Sequence, residues 1–186
     1  MIWLDVRRHS LTKKGPARGR GSHLSAEGVA LARLIGAGAG PYERVVTSAS
    51  PRAVETAVAM GFAVDDTAEW PSGYVADEIP RHAQWEWADP YQRLAAVVRA
   101  GRTAAGVAGE LRGIFLDALD GVGEGGSALL VGHGGAIELA LAACFPDGDH
   151  ASWGAPFAHC DGVRLGFTGG RFATLAFDRA VTYTGR

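Results

Sequence analysis

The chain has little cysteine, little lysine and no long apolar run. Cys144 and Cys160 are its two cysteines in 186 residues, too few for a disulfide framework, and they form neither a CxxC motif nor a zinc ribbon. The longest apolar stretch is far shorter than the roughly 18 residues that a membrane span needs, so we expect no membrane contact. Asp5 interrupts the first apolar stretch after four residues. We therefore expect no secretion leader and a cytoplasmic protein.

An excess of charge of either sign is also missing. The 18 Lys and Arg residues against 20 Asp and Glu give a net charge of −2, which disfavours nucleic acid as a partner. Lys13 and Lys14 are the only lysines, so the basic residues are nearly all arginines, whose planar donors suit carboxylates and phosphates. Genome composition is the simpler explanation for most of them. With 47% hydrophobic and 20% charged residues, a disordered chain, a coiled coil and a collagen-like repeat are excluded.

The length predicts one domain over residues 1–186, and the pattern of apolar residues predicts an α/β fold. The near-continuous apolar run over 127–132 is typical of a central parallel strand covered on both faces. We expect a three-layer α/β/α sandwich with a mostly parallel sheet. The predicted strands are 2–7, 44–48 and 127–132, followed by a hairpin over 162–177. The predicted helices are 25–36, 50–60, 90–100, 103–119 and 136–143, with a basic loop over 13–20 and a packed, irregular segment over 62–89.

Three predicted strands end in residues suited to chemistry, each close to the start of a helix. The first strand leads into Arg8 and His9, the second is followed by Arg52, and the late central strand leads into His133. In a parallel α/β sheet, ligands collect outside the carboxyl ends of the strands. If these strands are neighbours, two histidines and two arginines share one pocket. Such a pocket, with helix N-termini aimed into it, predicts binding of a phosphoryl group.

These residue types also suggest a reaction. A neutral imidazole can attack phosphorus and form a covalent intermediate. Arg8, Arg52 and a cationic His133 would neutralise the charge that develops on the phosphoryl oxygens. The leaving alkoxide then needs a proton, most simply from a carboxylic acid. The irregular segment offers four candidates, Asp77, Glu78, Glu86 and Asp89.

Four sequence elements, in order, resemble those of the histidine phosphatase superfamily, which includes cofactor-dependent phosphoglycerate mutase. The family's Arg-His-Gly-x-Thr motif stands at residues 8–12 as RHSLT, and its Leu-Thr/Ser-x-x-Gly element stands at 24–28 as LSAEG. Its Thr-Ser-x-x-x-Arg-Ala-x-x-Thr-Ala element matches TSASPRAVETA at 47–57. Its Gly-His-Gly-Gly element matches 132–135. The resemblance implies the same three-layer fold and the same chemistry.

The resemblance also implies roles for the main site residues. His9 would be the nucleophile that becomes phosphorylated, and Arg8, Arg52 and His133 would hold the phosphoryl oxygens. The family's acid commonly lies in a Glu-Ile or Glu-Phe step after the helix arginine, and Glu78 fits that place.

Further roles follow from the motif positions. Asp77 is the second choice for the acid, after Glu78. Thr12 and Gly134 occupy motif positions that would contact the substrate. The chain departs from the motif at Ser10, where the family usually has Gly; a side chain there would narrow the pocket or donate its hydroxyl to the phosphate.

The sequence thus predicts a metal-independent phosphomonoesterase that acts on a small phosphorylated metabolite through His9 and needs no cofactor. A metal site is not expected, because the histidines lack ligand spacing. The remaining histidines are interpreted as surface or structural residues: His23, His82, His150 and His159. Two alternatives stay open. One is a phosphoglycerate-type mutase, and the other is a non-catalytic module that binds a phosphorylated ligand.

Overall fold

The computed structural model describes residues 1–14, 22–87 and 89–180, and its centre is a six-stranded sheet. The strands are β1 (Ile2–Arg8), β2 (Arg44–Ser48), β3 (Asp66–Ala68), β4 (Ser127–Gly132), β5 (Gly162–Thr168) and β6 (Arg171–Asp178). The helices are α1 (Ala26–Gly36), α2 (Pro51–Ala59), α3 (Pro90–Arg99), α4 (Thr103–Asp117) and α5 (Ala136–Cys144). Across these described ranges, no helix is long and apolar enough to cross a membrane.

The strand order is β3-β2-β4-β1-β5-β6, and the first four strands in that order are parallel. The hairpin of β5 and β6 joins antiparallel to β1, so the predicted mostly parallel sheet is confirmed. Arg8 pairs with Gly132 and Thr47 pairs with Val131. The carboxyl ends of β1, β2 and β4 therefore lie side by side at one edge of the sheet.

Helices cover both faces of the sheet, as the three-layer prediction requires. Along β4, Ala128 and Leu130 pack into the larger apolar core, which contains residues of α3, α4 and α5. The alternate residues Leu129 and Val131 pack into a second core with residues of α1 and α2. This alternation follows from the two-residue period of a strand, and it explains why β4 is apolar throughout.

Local sequence signals place the helices that lead away from the site. Ser25 caps α1, where its hydroxyl accepts a hydrogen bond from Gly28 N at 3.1 Å. Pro51 occupies the first turn of α2, where a missing N–H costs nothing. β2 and β4 have the predicted bounds, whereas α4 ends at Asp117 rather than at 119.

The irregular segment over 62–89 contains two short elements that the sequence did not indicate. One is β3, which forms the edge of the sheet beside β2, and the other is a 3-10 turn, His82–Gln84. Its tryptophans pack as expected: Trp85 and Trp87 stack with ring centroids 4.9 Å apart. The predicted basic loop falls mostly on residues 15–20, which lie outside the described part of the chain.

Candidate active site

The two histidines of the predicted pocket lie next to each other. His9 directly follows β1, and its backbone N–H donates to Gly132 O at 2.9 Å, which ties the end of β1 to the end of β4. His133 directly follows β4, and the ring centroids of His9 and His133 are 5.3 Å apart. Two segments that are distant in sequence thus meet at one edge of the sheet.

His9 is arranged to act as a neutral nucleophile. It is 8% exposed, and its Nδ1 lies 2.8 Å from Ser10 O. A carbonyl oxygen only accepts, so Nδ1 carries the proton and Nε2 keeps its lone pair. Burial first, and then the charges of His133, Arg8 and Arg52, lower the pKa of His9 to about 2. The ring is therefore neutral at neutral pH, with its one proton on Nδ1.

His133 is held between Arg52 and Ser48. Arg52 Nη2 lies 3.3 Å from Nδ1 of His133, and Ser48 Oγ lies 2.7 Å from Nε2. A guanidinium only donates, so Nδ1 accepts and the ring proton is on Nε2. Burial, followed by the charges of Arg52 and Arg8, lowers the pKa of His133 to about 4. Burial beside two guanidiniums favours the neutral ring, so this geometry does not favour the cationic His133 that the sequence predicts, and the charge of His133 stays a prediction.

Arg8 brings a third imidazole to the site. Its Nη1 donates to Phe157 O at 2.6 Å, and its Nη2 donates to His159 Nε2 at 3.4 Å. The ring of His159 is centred 5.5 Å from that of His9. Burial, followed by the charge of Arg8, lowers the pKa of His159 to about 4. His159, interpreted from the sequence as a surface or structural residue, thus lies beside the site, and no pattern in its own segment indicates the contact.

A cavity of about 360 Å³ opens beside this cluster. Arg52, His133 and Gly134 line it together with residues 70–74 and His82. The ring of Trp70 lies 6.1 Å from that of His133, so this wall is partly aromatic. His82 was also interpreted as a surface or structural residue, and it belongs to the cavity wall instead. Among the described residues, no group of three or more His, Cys, Asp or Glu is arranged to hold a metal ion.

Of the three smaller motif residues, one lines the cavity and two do not. Gly134 lines the cavity, as expected of a substrate contact. Ser10 is fully buried, and its hydroxyl donates to Gly28 O at 2.7 Å, so the geometry gives no support to a hydrogen bond with substrate. Thr12 forms an isolated bridge with Leu24 and lines a separate cavity. Substrate contacts of Ser10 and Thr12 stay predictions.

The four carboxylic acids that the sequence offered do not line the cavity. The carboxylate of Glu78 accepts from the backbone N–H groups of Thr103 and the next residue, both at 3.1 Å, and so caps α4. Asp77 is exposed, with a backbone φ of 63°. Glu86 and Asp89 line a different cavity. Glu78 as the acid, with Asp77 as second choice, stays a prediction that this geometry does not favour.

Comparison with known proteins agrees with the arrangement. Residues 6–179 match the family model of the Histidine phosphatase superfamily (branch 1). No curated protein sequence matches the chain significantly. Among solved structures, the phosphoserine phosphatase of Entamoeba histolytica in complex with 3-phosphoglyceric acid is 16% identical and superposes with a TM-score of 0.63 over 96% of this chain and 97% of that chain.

Two further structures show the same fold. YhfR of Bacillus stearothermophilus is 22% identical, with a TM-score of 0.61 over 98% of each chain. A mycobacterial glucosyl-3-phosphoglycerate phosphatase in complex with VO3 is 24% identical, with a TM-score of 0.60 over 96% of this chain and 99% of that chain. The family match spans both histidines and both arginines of the site. The chain therefore belongs to the histidine phosphatase superfamily, branch 1, and is an enzyme of the histidine phosphatase type.

Proposed function

We propose that the protein hydrolyses the phosphomonoester of a small metabolite through a covalent phosphohistidine at His9, without a metal. The observation that carries the proposal is the neutral His9 ring, with its Nε2 lone pair, grouped with His133, Arg8 and Arg52. A nucleophile and cationic donors within one site are what an in-line displacement at phosphorus needs.

The first step transfers the phosphoryl group to the enzyme. His9 Nε2 attacks phosphorus, a P–N bond forms, and the P–O bond to the substrate alcohol breaks. The electron pair of that bond leaves with the alkoxide, which takes a proton and departs as the alcohol. Arg8 and Arg52 stabilise the charge on the phosphoryl oxygens during the transfer.

The second step regenerates the enzyme. Water attacks phosphorus, gives up one proton, and the P–N bond breaks so that His9 Nε2 recovers its lone pair. The sum of the two steps is one ester and one water converted to one alcohol and one inorganic phosphate. A mutase would instead return the phosphoryl group to the substrate.

The dimensions of the site favour a small substrate. A cavity of about 360 Å³ lies at the lower end of the range for small-molecule pockets. Two of the similar structures are phosphatases whose names include phosphoserine and glucosyl-3-phosphoglycerate. A substrate panel should therefore contain both of these compounds, 3-phosphoglycerate and p-nitrophenyl phosphate.

The test compares wild type with His9→Ala. We expect wild type to release phosphate from at least one panel member, to form an acid-labile phosphoenzyme and to keep its activity in EDTA. His9→Ala should lose on the order of 10⁴-fold or more in kcat, because the loss of a nucleophile removes the whole covalent route. His23→Ala is the control, since His23 is an exposed residue paired with Glu55.

Three results would contradict the proposal. One is unchanged turnover in folded His9→Ala. Another is isomer formation without phosphate release, which would favour the mutase. The third is tight binding of phosphorylated compounds with no turnover by wild type, which would favour the non-catalytic module.

A further inference from the structure

His82 and Glu138 form a buried pair at the edge of the cavity. Glu138 lies on α5, is fully buried, and its Oε1 is 2.9 Å from His82 Nε2. Its carboxylate also accepts from the backbone N–H groups of Gly135 at 2.7 Å and Phe157 at 2.9 Å. The side chain of His82 is 18% exposed and lines the cavity with His133 and Arg52.

The contact with Glu138 determines which nitrogen of the His82 ring carries a proton. Because a carboxylate accepts, His82 Nε2 carries a proton, and Nδ1 is the ring nitrogen left for chemistry. The described residues give Nδ1 no hydrogen bond. The ring lies over Gly134, where a Cβ atom would be 2.8 Å from Cε1 and 3.0 Å from Nδ1 of His82. A glycine after His133 is therefore what allows this ring to reach the catalytic edge of the sheet.

A carboxylate that holds one nitrogen of a ring at the cavity wall and leaves the other nitrogen available is an arrangement that lets a histidine act as acid and base. Glu138 fixes the tautomer and the orientation of the ring and stabilises it when it is charged. The three hydrogen bonds to Glu138 keep the carboxylate itself in place. The pair is formed between the 3-10 turn and α5, and its two residues are 56 positions apart in the sequence.

We infer that His82 is the proton donor and acceptor of the reaction, with Glu138 as its positioning residue; this inference rests on the proposed function. In the first step, protonated Nδ1 gives its proton to the departing alkoxide as the P–O bond breaks. In the second step, the neutral Nδ1 takes a proton from the attacking water as the P–N bond breaks. His82 thus ends the cycle as it began, and no other acid is needed.

The placement of the carboxylates supports this role. Glu78 uses its oxygens on the N-terminus of α4, and Glu86 and Asp89 lie at another cavity. Of the residues described as lining the cavity, His82 is a titratable group that the phosphate-binding set does not already use. Tyr74 and Arg81 also line the cavity, but a guanidinium does not release its proton and a phenol is a weaker acid than an imidazolium, so His82 is the better donor to the leaving group.

The test is His82→Gln, assayed with p-nitrophenyl phosphate and with an alkyl phosphate that wild type accepts. On the alkyl phosphate, we expect kcat to fall by about 10²–10⁴-fold, the usual contribution of a general acid. p-Nitrophenolate scarcely needs a proton, so its initial burst should slow by less than about tenfold. Since loss of the base slows the second step, phosphohistidine should then accumulate, and quenched-flow measurements would detect it.

Matched variants separate this role from simpler explanations. His23→Gln makes the same substitution at an exposed position and should behave as wild type. Gly134→Ala displaces the His82 ring without changing it and should give the same dependence on the leaving group, which keeps the test available if His82→Gln does not fold. Glu138→Gln should also slow the reaction of the alkyl phosphate more than that of p-nitrophenyl phosphate. A purely structural role of the pair would instead slow phosphoryl transfer from both substrates equally.

Two outcomes would overturn the inference while the proposed function stands. In the first, His82→Gln slows transfer of the phosphoryl group to His9 equally with both substrates, although wild type forms phosphohistidine. In the second, Glu78→Gln rather than His82→Gln shows the loss that depends on the leaving group. Failure of wild type itself to form phosphohistidine would instead contradict the proposed function.

Discussion

Burial of neutral imidazoles should make this protein unusually sensitive to mild acid. The pKa values of His9, His133 and His159 are lowered to about 2, 4 and 4, with burial as the largest cause, whereas an unfolded chain titrates near 6.5. As pH falls below 6.5, the unfolded state binds protons that the folded state does not, so stability falls with pH until the folded pKa is reached. His9 and His133 then each lower the free energy of unfolding by about 2 kcal/mol between pH 7 and pH 5, at 1.4 kcal/mol per pKa unit, and the more exposed His159 contributes less because solvent screens it.

Urea unfolding of wild type and His133→Gln at pH 7 and pH 5 measures the effect of one imidazole. The substitution removes the titrating group, so wild type should lose about 2 kcal/mol more than the variant over this range. The double difference cancels the other groups that titrate between these pH values. Equal losses in wild type and His133→Gln would show that His133 is not held neutral, and would refute the reasoning.

Two further predictions concern residues with separate roles. Arg52→Ala should lower kcat by about 10²–10³-fold in a phosphate-release assay, the scale expected for one donor to the transition state, and a loss seen only in KM would contradict it. Glu78→Ala should lower the free energy of unfolding by about 1 kcal/mol, because it removes the carboxylate from the N-terminus of α4, and unchanged urea unfolding would contradict it.

The sequence predicted the position of those site residues that directly follow a strand. His9 and His133 stand immediately after apolar strands, and a parallel sheet necessarily brings such positions to one edge. His82 and His159 lie instead on segments without a repeating pattern, and tertiary packing alone determines where those segments lie. A ring contact such as that between His9 and His159 has no counterpart in local sequence.

Glu78 illustrates a second kind of limit. Its position after the helix arginine matches the resemblance, yet its carboxylate binds the first N–H groups of α4. The residue at the N-cap of α4 is Arg102, whose side chain cannot accept a hydrogen bond. The unpaired N–H groups of that helix therefore need an acceptor from elsewhere. The motif position of Glu78 does not reveal that the N-terminus of α4 also needs its carboxylate.

The charges around the cavity explain why a proton carrier is needed between Glu138 and the leaving group. With neutral imidazoles, the positive charge of the site comes from Arg8 and Arg52, and the negative charge of Glu138 raises the pKa of Arg8 while burial lowers it more. An alkoxide that forms beside His82 would be repelled by the Glu138 carboxylate, because like charges repel more strongly in a buried site than in water. A proton on His82 lies between these negative charges and attracts both. The Glu138 carboxylate repels an unprotonated alkoxide. It therefore favours transfer of a proton from His82 to that alkoxide.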